Sequence, residues 1–360
     1  MSSTIELPTL SLRRTLTLET FGSMSKPLLL GIEIGGTKLQ LGLGFGDGRL
    51  VALERRTIEP ANGASGILEQ IRDAHSLLLN RPEIMSLGPI VGVGVGFGGP
   101  VDDQAGAVIK SYQVEGWEGF PLANWLVANL SIPHAILQND ADTAGLAEAR
   151  YGAGQGFSPV FYVTIGSGIG GALIIDGQIY RGSGQGAAEI GHLQVLVDSP
   201  SGPITRELEQ VASGWGIGRE GQATARRLLE AGQADWPLLR AVDNDPSRIT
   251  GQMIGVAAIE GDPIAYQILE GARNAIVFAL KQAIVLLAPR RIILGGGVSL
   301  LGETHWHKPI RRLIDRDVFA PFRSTFDIVG PKFGEEVVVH GAIALAADAT
   351  SNPNRTAVRG

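Results

Sequence analysis

Cysteine is absent from the 360-residue sequence. Disulfide bonds and thiolate metal sites are therefore excluded, and histidine, aspartate and glutamate remain as side chains for a metal site. An excess of basic residues is also missing, because the formal net charge is −6, which argues against a nucleic-acid-binding surface. No apolar run approaches the length of a membrane span. These absences predict a cytoplasmic protein that binds neither nucleic acid nor membrane.

A recognisable secretory signal is missing as well. Arg13 and Arg14 are followed by Glu19 and by no apolar segment with a small-residue cleavage site. Met24 would be a natural start just before the first strand, so residues 1–23 are expected to be disordered, and the N-terminal extension is taken to run to residue 27. The remaining chain is long enough for two domains, each with its own core.

Two stretches share the order strand, glycine turn, strand. They are residues 28–44, with a turn at 35–37, and residues 160–175, with a turn at 166–171. Because glycine adopts positive φ readily, consecutive amides in such a turn can point into one concavity and hold a phosphate. The repeated plan predicts two phosphate-binding hairpins and an internally duplicated architecture.

The second turn also matches the dinucleotide-binding pattern G-x-G-x-x-G, at Gly166, Gly168 and Gly171. That motif opens a helix, whereas here a short turn and a β-rich run follow. The same pattern at residues 94–99 is followed by Pro100 and a turn. We therefore exclude a dinucleotide-binding helix at either place.

Polar residues stand at two further points. A strand predicted over 133–138 ends at Asn139 and Asp140, and a helix-like segment follows, so the pair either caps the helix or serves a ligand. Glu189 and His192 lie three residues apart in a glycine-flanked loop. This spacing suits the paired donors and acceptors of a site for a polar ligand, and the alternative is an exposed surface pair.

Three later segments complete the expectations. Glu209 lies in a helical region predicted from Arg206, where a glutamate usually faces solvent. Residues 295–297 are three glycines after a buried strand, which predicts either a plain turn or a close backbone approach to a base or ribose. A strand is predicted over 337–340, followed by a helix of small residues. The two histidines that flank Trp306 are expected at the surface and not as metal ligands.

Eight motifs occur in a fixed order along the chain. They are IEIGGTK at 32–38, GGPVD at 98–102, GWEGFPL at 116–122, NDADTAGLAEARYGAG at 139–154, TIGSGIGGALIIDGQIYRG at 164–182, EIGH at 189–192, LEQVASG at 208–214 and GGGVS at 295–299. Together they resemble the ROK family, named for repressors, open reading frames and sugar kinases. The resemblance extends from about residue 28 to residue 347.

The resemblance implies the two-domain, actin-like (ribonuclease H-like) α/β fold of sugar kinases, with ATP and sugar in the interdomain cleft. It assigns residues 28–138 and a C-terminal helix at about 339–350 to the smaller domain, and residues 139–338 to the larger one. The two glycine turns are expected to face each other across the cleft. Dimers are common in similar proteins, so a homodimer is expected by analogy alone.

The resemblance also implies roles for individual residues, with Asp140 as the general base that takes a proton from a sugar hydroxyl. The sugar-binding positions are Gly98, Gly99, Asn139, Glu189, His192 and Glu209. The ATP-binding positions are Gly35, Gly36, Thr37, Lys38, Thr164, Gly166, Ser167, Gly168, Gly295, Gly296 and Gly297. Lys38 has the alternative of a solvated strand position. Mg²⁺ is expected with ATP, where it neutralises the transferring charge.

Four positions depart from the family pattern. No cysteine follows His192, so the zinc site of the family is not expected. Glu33 stands where an aspartate is usual, near the phosphate end, and an indirect contact to Mg²⁺ is expected for it. Gln113 replaces a sugar-contacting asparagine, which leaves the hexose open, and Gly98 replaces a proline, which is expected to loosen that loop.

The predicted function is ATP-dependent phosphorylation of a hexose, most simply glucose to glucose 6-phosphate. The alternatives are a sugar sensor without kinase activity, a kinase inactivated by Glu33, and a kinase for fructose, mannose or an N-acetylhexosamine. The repressor branch of the family adds an N-terminal winged helix, for which the sequence before Leu28 is expected to be too short.

Overall fold

The computed structural model describes residues 26–183, 186–198 and 202–351. Residues 1–25, which make up most of the predicted N-terminal extension, lie outside the described residues. So do Gly184 and Gln185 in the loop before Glu189. Within the described ranges, no helix is long and apolar enough to cross a lipid bilayer.

Short strands and longer helices alternate along the described chain. The strands are β1 (Leu28–Ile34), β2 (Lys38–Gly44), β3 (Leu50–Thr57), β4 (Ile90–Phe97), β5 (Val101–Asp102), β6 (Ala107–Val108), β7 (Ala135–Asn139), β8 (Val160–Ile165), β9 (Ile169–Ile175), β10 (Gln178–Ile179), β11 (Gln194–Val197), β12 (Ile204–Glu207), β13 (Arg291–Gly295) and β14 (Asp327–Val329). The helices are α1 (Gly63–Leu79), α2 (Pro82–Met85), α3 (Leu122–Leu130), α4 (Asp140–Tyr151), α5 (Leu208–Ala212), α6 (Gly214–Glu230), α7 (Pro237–Ala241), α8 (Gly251–Ile259), α9 (Pro263–Leu287), α10 (Lys308–Asp317) and α11 (Val337–Ser351).

Two five-stranded sheets have the same construction. The first has the strand order β3-β2-β1-β4-β7 and the second has the order β10-β9-β8-β13-β14. In each sheet, the first, second and third strands pair antiparallel in turn. The third, fourth and fifth strands pair in parallel. In each, a glycine turn joins the central strand to its antiparallel neighbour. This repeat agrees with the predicted duplication and with the actin-like fold, whereas the domain boundary at residue 139 stays a prediction.

The helices α4 and α11 cross between the two sheets. One side of α11 packs on the first sheet through Val339, Ile343 and Ala346, which form an apolar cluster with Leu29. Its other side joins α4 and the second sheet in a shared apolar cluster. The members of that cluster include Ala144, Leu146, Tyr162, Ile174, Val338 and Leu345. The last helix of the chain therefore belongs to the core of the first sheet and also forms the junction with the second.

Glycine makes these crossings possible. A Cβ on Gly94 of β4 would lie 1.9 Å from the Ala342 carbonyl oxygen. A Cβ on Gly341 of α11 would lie 1.8 Å from the Thr143 carbonyl oxygen of α4. Real Cβ atoms do not approach oxygen so closely, so the backbones are in direct contact at both points.

Three local predictions are wrong. The segment 337–340 forms the first turn of α11 and not a strand, because Val338 and Val339 are buried between the two sheets and tertiary packing overrides β propensity. The chain at Arg206 is a strand, β12, and the helix starts two residues later. His307 is buried, with Nε2 3.2 Å from the Leu294 carbonyl oxygen, because a π-helical turn over 303–307 directs Trp306 and His307 inward.

Candidate active site

The helix α4 begins with a polar pair at the carboxyl end of β7. Asn139 is the N-cap residue, and its Oδ1 accepts hydrogen bonds from the amides of Ala141 at 2.8 Å and Asp142 at 3.4 Å. Its Nδ2 donates to the Gly99 carbonyl oxygen at 3.1 Å. Asp140 accepts from the Ala141 amide through Oδ1 at 2.8 Å. Because Asn139 already serves as the N-cap of α4, helix capping does not explain why an aspartate occupies position 140.

The residue Gly98 leaves space beside the second carboxylate oxygen of Asp140. The Gly98 amide donates to the Ile34 carbonyl oxygen at 2.8 Å, which ties this loop to the end of β1. A Cβ on Gly98 would lie 3.5 Å from Asp140 Oδ2 and 3.5 Å from the Cα of Gly35. A side chain here would therefore enter the gap between the first glycine turn and the Asp140 carboxylate.

The start of β9 brings the second glycine turn against α4. A Cβ on Gly170 would lie 2.8 Å from the Ala141 Cβ, and one on Gly171 would lie 2.3 Å from the Ala188 carbonyl oxygen. None of the glycines at 166–171 has a φ in the left-handed region. The predicted reason for these glycines, freedom to adopt positive φ, is therefore wrong, and for the last two the reason is close packing.

The segment that carries Glu189 lies on the same part of β9. A Cβ on Gly191 would lie 2.2 Å from the Ile169 carbonyl oxygen, so this short turn rests directly on the strand. Glu189 is exposed to solvent, yet the surrounding protein desolvates its carboxyl and raises its pKa. The nearby His192 opposes this rise in pKa, and Glu209 adds to it.

The other two predicted sugar residues have different surroundings. The His192 side chain is 66% exposed, and its Nδ1 lies 3.7 Å from Glu207 Oε2, an ion pair when the imidazole is protonated. Glu209 is half-buried and its Oε2 accepts from the Ile169 amide at 2.8 Å. A Cβ on Gly168 would lie 2.3 Å from the same oxygen. Glu209 therefore braces the second glycine turn and does not simply face solvent.

Negative charge is concentrated around the start of α4. Burial raises the pKa of Asp140 to about 6, opposed by its backbone hydrogen bond, and the charges of Glu33 and Glu189 raise it further. Burial also raises the pKa of Asp142 to about 7, although Arg181 opposes this. Asp142 is 5% exposed, and its Oδ1 has no hydrogen-bond partner within the described residues. Two carboxyl groups at this helix start therefore titrate near neutral pH.

Both carboxylate oxygens of Glu33 are bonded by side chains of β2. Its Oε1 lies 3.0 Å from Lys38 Nζ, and its Oε2 accepts from Gln40 Nε2 at 2.6 Å. Lys38 and Gln40 also donate to the Glu335 carbonyl oxygen, just before α11, at 3.2 Å and 2.8 Å. Burial raises the pKa of Glu33, and the Lys38 ammonium opposes that rise. Each carboxylate oxygen keeps a further acceptor site, and the expected indirect contact of Glu33 to Mg²⁺ stays a prediction.

The two glycine turns carry backbone amides suited to an anion. Within the described ranges, four turn amides donate to no protein oxygen, those of Gly36, Thr37, Ser167 and Gly168. Open space surrounds Gly166, where a Cβ would meet nothing within 4 Å. The first turn is covered, because a Cβ on Gly36 would lie 1.2 Å from Gln113 Oε1. The Glu209 carboxylate lies against the second turn and the Gln113 side chain covers the first, so phosphate binding at either turn stays a prediction.

The third glycine segment follows β13, which pairs with β8 so that Gly295 lies opposite Thr164. A Cβ on Gly295 would lie 2.6 Å from the Tyr162 hydroxyl oxygen, and one on Gly296, with φ 83°, would lie 2.5 Å from the Ile165 amide nitrogen. Protein packing therefore explains these two glycines without a ligand. At Gly297 a Cβ would meet nothing within 4 Å, which leaves open space beside the backbone.

The structure thus brings Asp140, Asn139, Gly98 and Gly99 together at the ends of β1, β4 and β7. It places Glu189 and Glu209 against the first residues of β9, beside the second turn. The His192 side chain is mostly exposed to solvent. Gln40, Asp142 and Arg181 also lie in this region, and the sequence analysis assigned none of them a role. Asp142 and Arg181 fall inside the ordered motifs, whereas only its distant partners reveal Gln40. Among the described residues, no group of three or more histidine, aspartate or glutamate side chains is arranged to hold a metal ion.

Paired sheets of one strand order, a glycine turn in each and a buried carboxylate where they meet define the class of actin-like sugar kinases. The chain belongs to the ROK family: the family model matches residues 29–349. The resemblance read from the ordered motifs is confirmed.

Named relatives cover nearly the whole chain. Glucokinase from Thermotoga maritima is 29% identical over 329 residues, which span 89% of this chain and 98% of that protein. The solved structure of a ROK family glucokinase from Streptomyces griseus in complex with glucose and AMPPNP is 30% identical, with a TM-score of 0.72, and the match covers 89% of this chain and 99% of that one. A beta-glucoside kinase from Listeria innocua is 27% identical over 272 residues, 75% of this chain and 83% of that protein. Relatives of similar identity therefore differ in the sugar named for them.

Proposed function

We propose that this ROK-family sugar kinase transfers the γ-phosphoryl group of ATP to a hydroxyl of a hexose, with glucose as the preferred acceptor. The observation that carries the proposal is Asp140: its neighbour Asn139 caps α4, and its Oδ2 borders a gap that Gly98 keeps open. Glucose is proposed over other hexoses because several of the similar proteins are named glucokinases.

In the proposed reaction, Asp140 accepts the proton of the sugar hydroxyl while the hydroxyl oxygen bonds to the γ-phosphorus and the bond to the β-phosphate oxygen breaks, releasing ADP. Phosphoryl transfer has a loose transition state, so positioning and charge neutralisation matter more than a strong base. A carboxylate with a pKa of about 6 is ionised at neutral pH and suits this task. Asn139, Glu189, His192 and Glu209, with the backbone at Gly98 and Gly99, are proposed to bind the sugar hydroxyls.

For the nucleotide, the amides of the second glycine turn and the hydroxyls of Thr164 and Ser167 are proposed to hold the phosphates. The first turn, Gly35 to Lys38, is proposed to hold the phosphoryl group on the other side. Residues 295–297 are proposed to border the nucleoside. Mg²⁺, when bound with ATP, neutralises phosphate charge, and it commonly uses few protein ligands.

The test is a panel of acceptors with Mg-ATP: glucose, mannose, fructose, N-acetylglucosamine and N-acetylmannosamine, with ADP release as the readout. We expect turnover of at least one hexose and the highest kcat/KM for glucose. Sugar binding without ADP release would instead support the sensor or the inactivated kinase. A higher kcat/KM for another hexose would retain the kinase and replace only its substrate.

The rate should depend on pH through Asp140. Because the pKa of this carboxyl is raised to about 6, the ionised base is present above that pH, and kcat/KM should fall tenfold per unit as pH drops below about 6. Glu33, Glu189 and Asp142 are the other acids around it, so the measured value belongs to a coupled group.

An Asp142→Asn variant is the matched control for this pH dependence. Because the pKa of Asp142 is raised to about 7, its carboxyl is largely protonated where Asp140 titrates, so this substitution should leave the acid limb near pH 6 in place. Profiles of kcat/KM between pH 5 and pH 9 measure both effects. A wild-type rate independent of pH from 5 to 7 would contradict the assignment of Asp140 as the base.

A further inference from the structure

Arg181, in the segment that follows the second sheet's strand β10, contacts residues on both sides of the Asn139–Asp140 pair in the sequence. It follows β10 by two residues, and its side chain is 17% exposed. Its Nη2 donates to Asp103 Oδ1 at 2.9 Å, and its Nη1 donates to the Gln138 Oε1. The same Nη1 lies 3.9 Å from Asp142 Oδ2.

These acceptors are themselves fixed. Gln138 is the residue before Asn139, is 5% exposed, and donates through Nε2 to Asp103 Oδ2 at 3.3 Å. The loop at Asp103 is held by its neighbour Asp102, whose Oδ1 accepts from the amides of Gln104 at 3.1 Å and Ala105 at 2.9 Å. A guanidinium is planar and keeps its charge at any physiological pH, so it can hold two acceptors in one fixed geometry.

We propose that Arg181 is a positioning residue of the sugar kinase, which holds the Asn139–Asp140 pair in place through Gln138 and Asp142 and ties it to Asp103. The proposal rests on the proposed function, because it assigns Arg181 a part in that reaction. Arg181 contacts the residue before the pair and the second residue after it. Displacement of α4 relative to the end of β7 is therefore resisted on both sides.

Positioning has a kinetic consequence that stability alone does not have. The loss of Arg181 should move the proposed base and the Asn139 amide relative to the sugar, and misplacement of about 1 Å can cost as much as about 100-fold in rate. The nucleotide amides of the second glycine turn lie on other elements. We therefore expect Arg181→Met to lower kcat at least tenfold and to raise the sugar KM about fivefold, with the ATP KM unchanged within about twofold.

Two comparison variants separate positioning from folding. Arg181→Lys keeps the charge but not the planar fork, so its kcat should lie between those of the wild type and Arg181→Met. Arg150→Met is the matched control on α4: Arg150 makes a two-bonded ion pair with Asp348, at 2.8 and 2.7 Å, and donates to the Gly177 carbonyl oxygen at 2.8 Å. It should lower the unfolding midpoint and leave both KM values unchanged.

The experiment measures kcat and both KM values on the best hexose of the panel, with the unfolding midpoint in urea for every variant. If Arg181→Met lowers the midpoint as Arg150→Met does, but keeps kcat per folded protein and both KM values, the positioning role is overturned while the kinase stands. If the wild type binds sugar without turnover, the dissociation constant for the sugar takes the place of KM, and an unchanged value in Arg181→Met overturns the inference. A wild type with neither binding nor turnover overturns both proposals.

Discussion

Asp140→Asn is expected to lower kcat for hexose phosphorylation by about 1,000-fold or more, within the range typical of a lost general base. The change is nearly isosteric, and the asparagine Oδ1 can still accept from the Ala141 amide. The N-cap of α4 is Asn139 and stays intact. The replaced carboxyl pays a desolvation cost that raises its pKa, so the variant should fold at least as stably as the wild type.

ADP release with Mg-ATP and sugar measures the effect, and thermal unfolding checks the fold. Asp142→Asn is the matched control, because it removes a buried carboxyl two residues further along the same helix. Because Asp142 acts only through its 3.9 Å contact with Arg181 and takes no part in proton transfer, this variant should lose far less of kcat at pH 8 than Asp140→Asn does. If Asp140→Asn retained more than about a tenth of the wild-type kcat, the proton acceptor would be another group, and Glu189 would be the first to test.

Gly341→Ala is expected to reduce the free energy of unfolding by about 3 kcal/mol or more, at the upper end of single substitutions. The added Cβ would lie 1.8 Å from the Thr143 carbonyl oxygen and 2.6 Å from its carbonyl carbon. Neither atom is a side-chain end that could rotate away, so α11 and α4 must separate. Thr143 donates through Oγ1 to the Asn139 carbonyl oxygen at 2.6 Å, so the shift should also lower the rate of phosphorylation.

The matched control is Gly271→Ala in α9. A Cβ there would meet nothing within 4 Å, and the position is exposed. Alanine in an unobstructed helix is better than glycine by about 0.5–1 kcal/mol, so this variant should be slightly more stable than the wild type. Urea unfolding of both variants tests the pair. Equal stability of the two would show that the α4–α11 crossing relaxes without cost.

Local features were predictable because neighbouring residues determine them. The apolar runs at 28–34 and 160–165 form strands, and the junction at Asn139–Asp140 is the end of a strand and the start of a helix, as predicted. The fold class followed from the ordered motifs. The strand predicted from the valines at 337–340 is wrong, because packing between the two sheets favours a helix there.

The contacts that complete the site are long-range, and a single sequence does not encode them as a pattern. Lys38 and Gln40 meet the carbonyl oxygen of Glu335 across nearly 300 residues, and Arg181 meets Asp103 and Gln138. The glycines of the second hairpin were predicted from their ability to bind phosphate. At Gly170 and Gly171 the structural requirement is the approach of other backbone segments, which only the folded chain reveals.

The placement of α11 has a consequence for synthesis on the ribosome. Strands of the first sheet are translated first, yet the helix that covers Leu29 and its neighbours is the last described element. A nascent chain that ends before residue 337 lacks that cover, and an uncovered apolar sheet face is a site for chaperones or for aggregation. The core of the first sheet can therefore finish folding only after α11 has been translated.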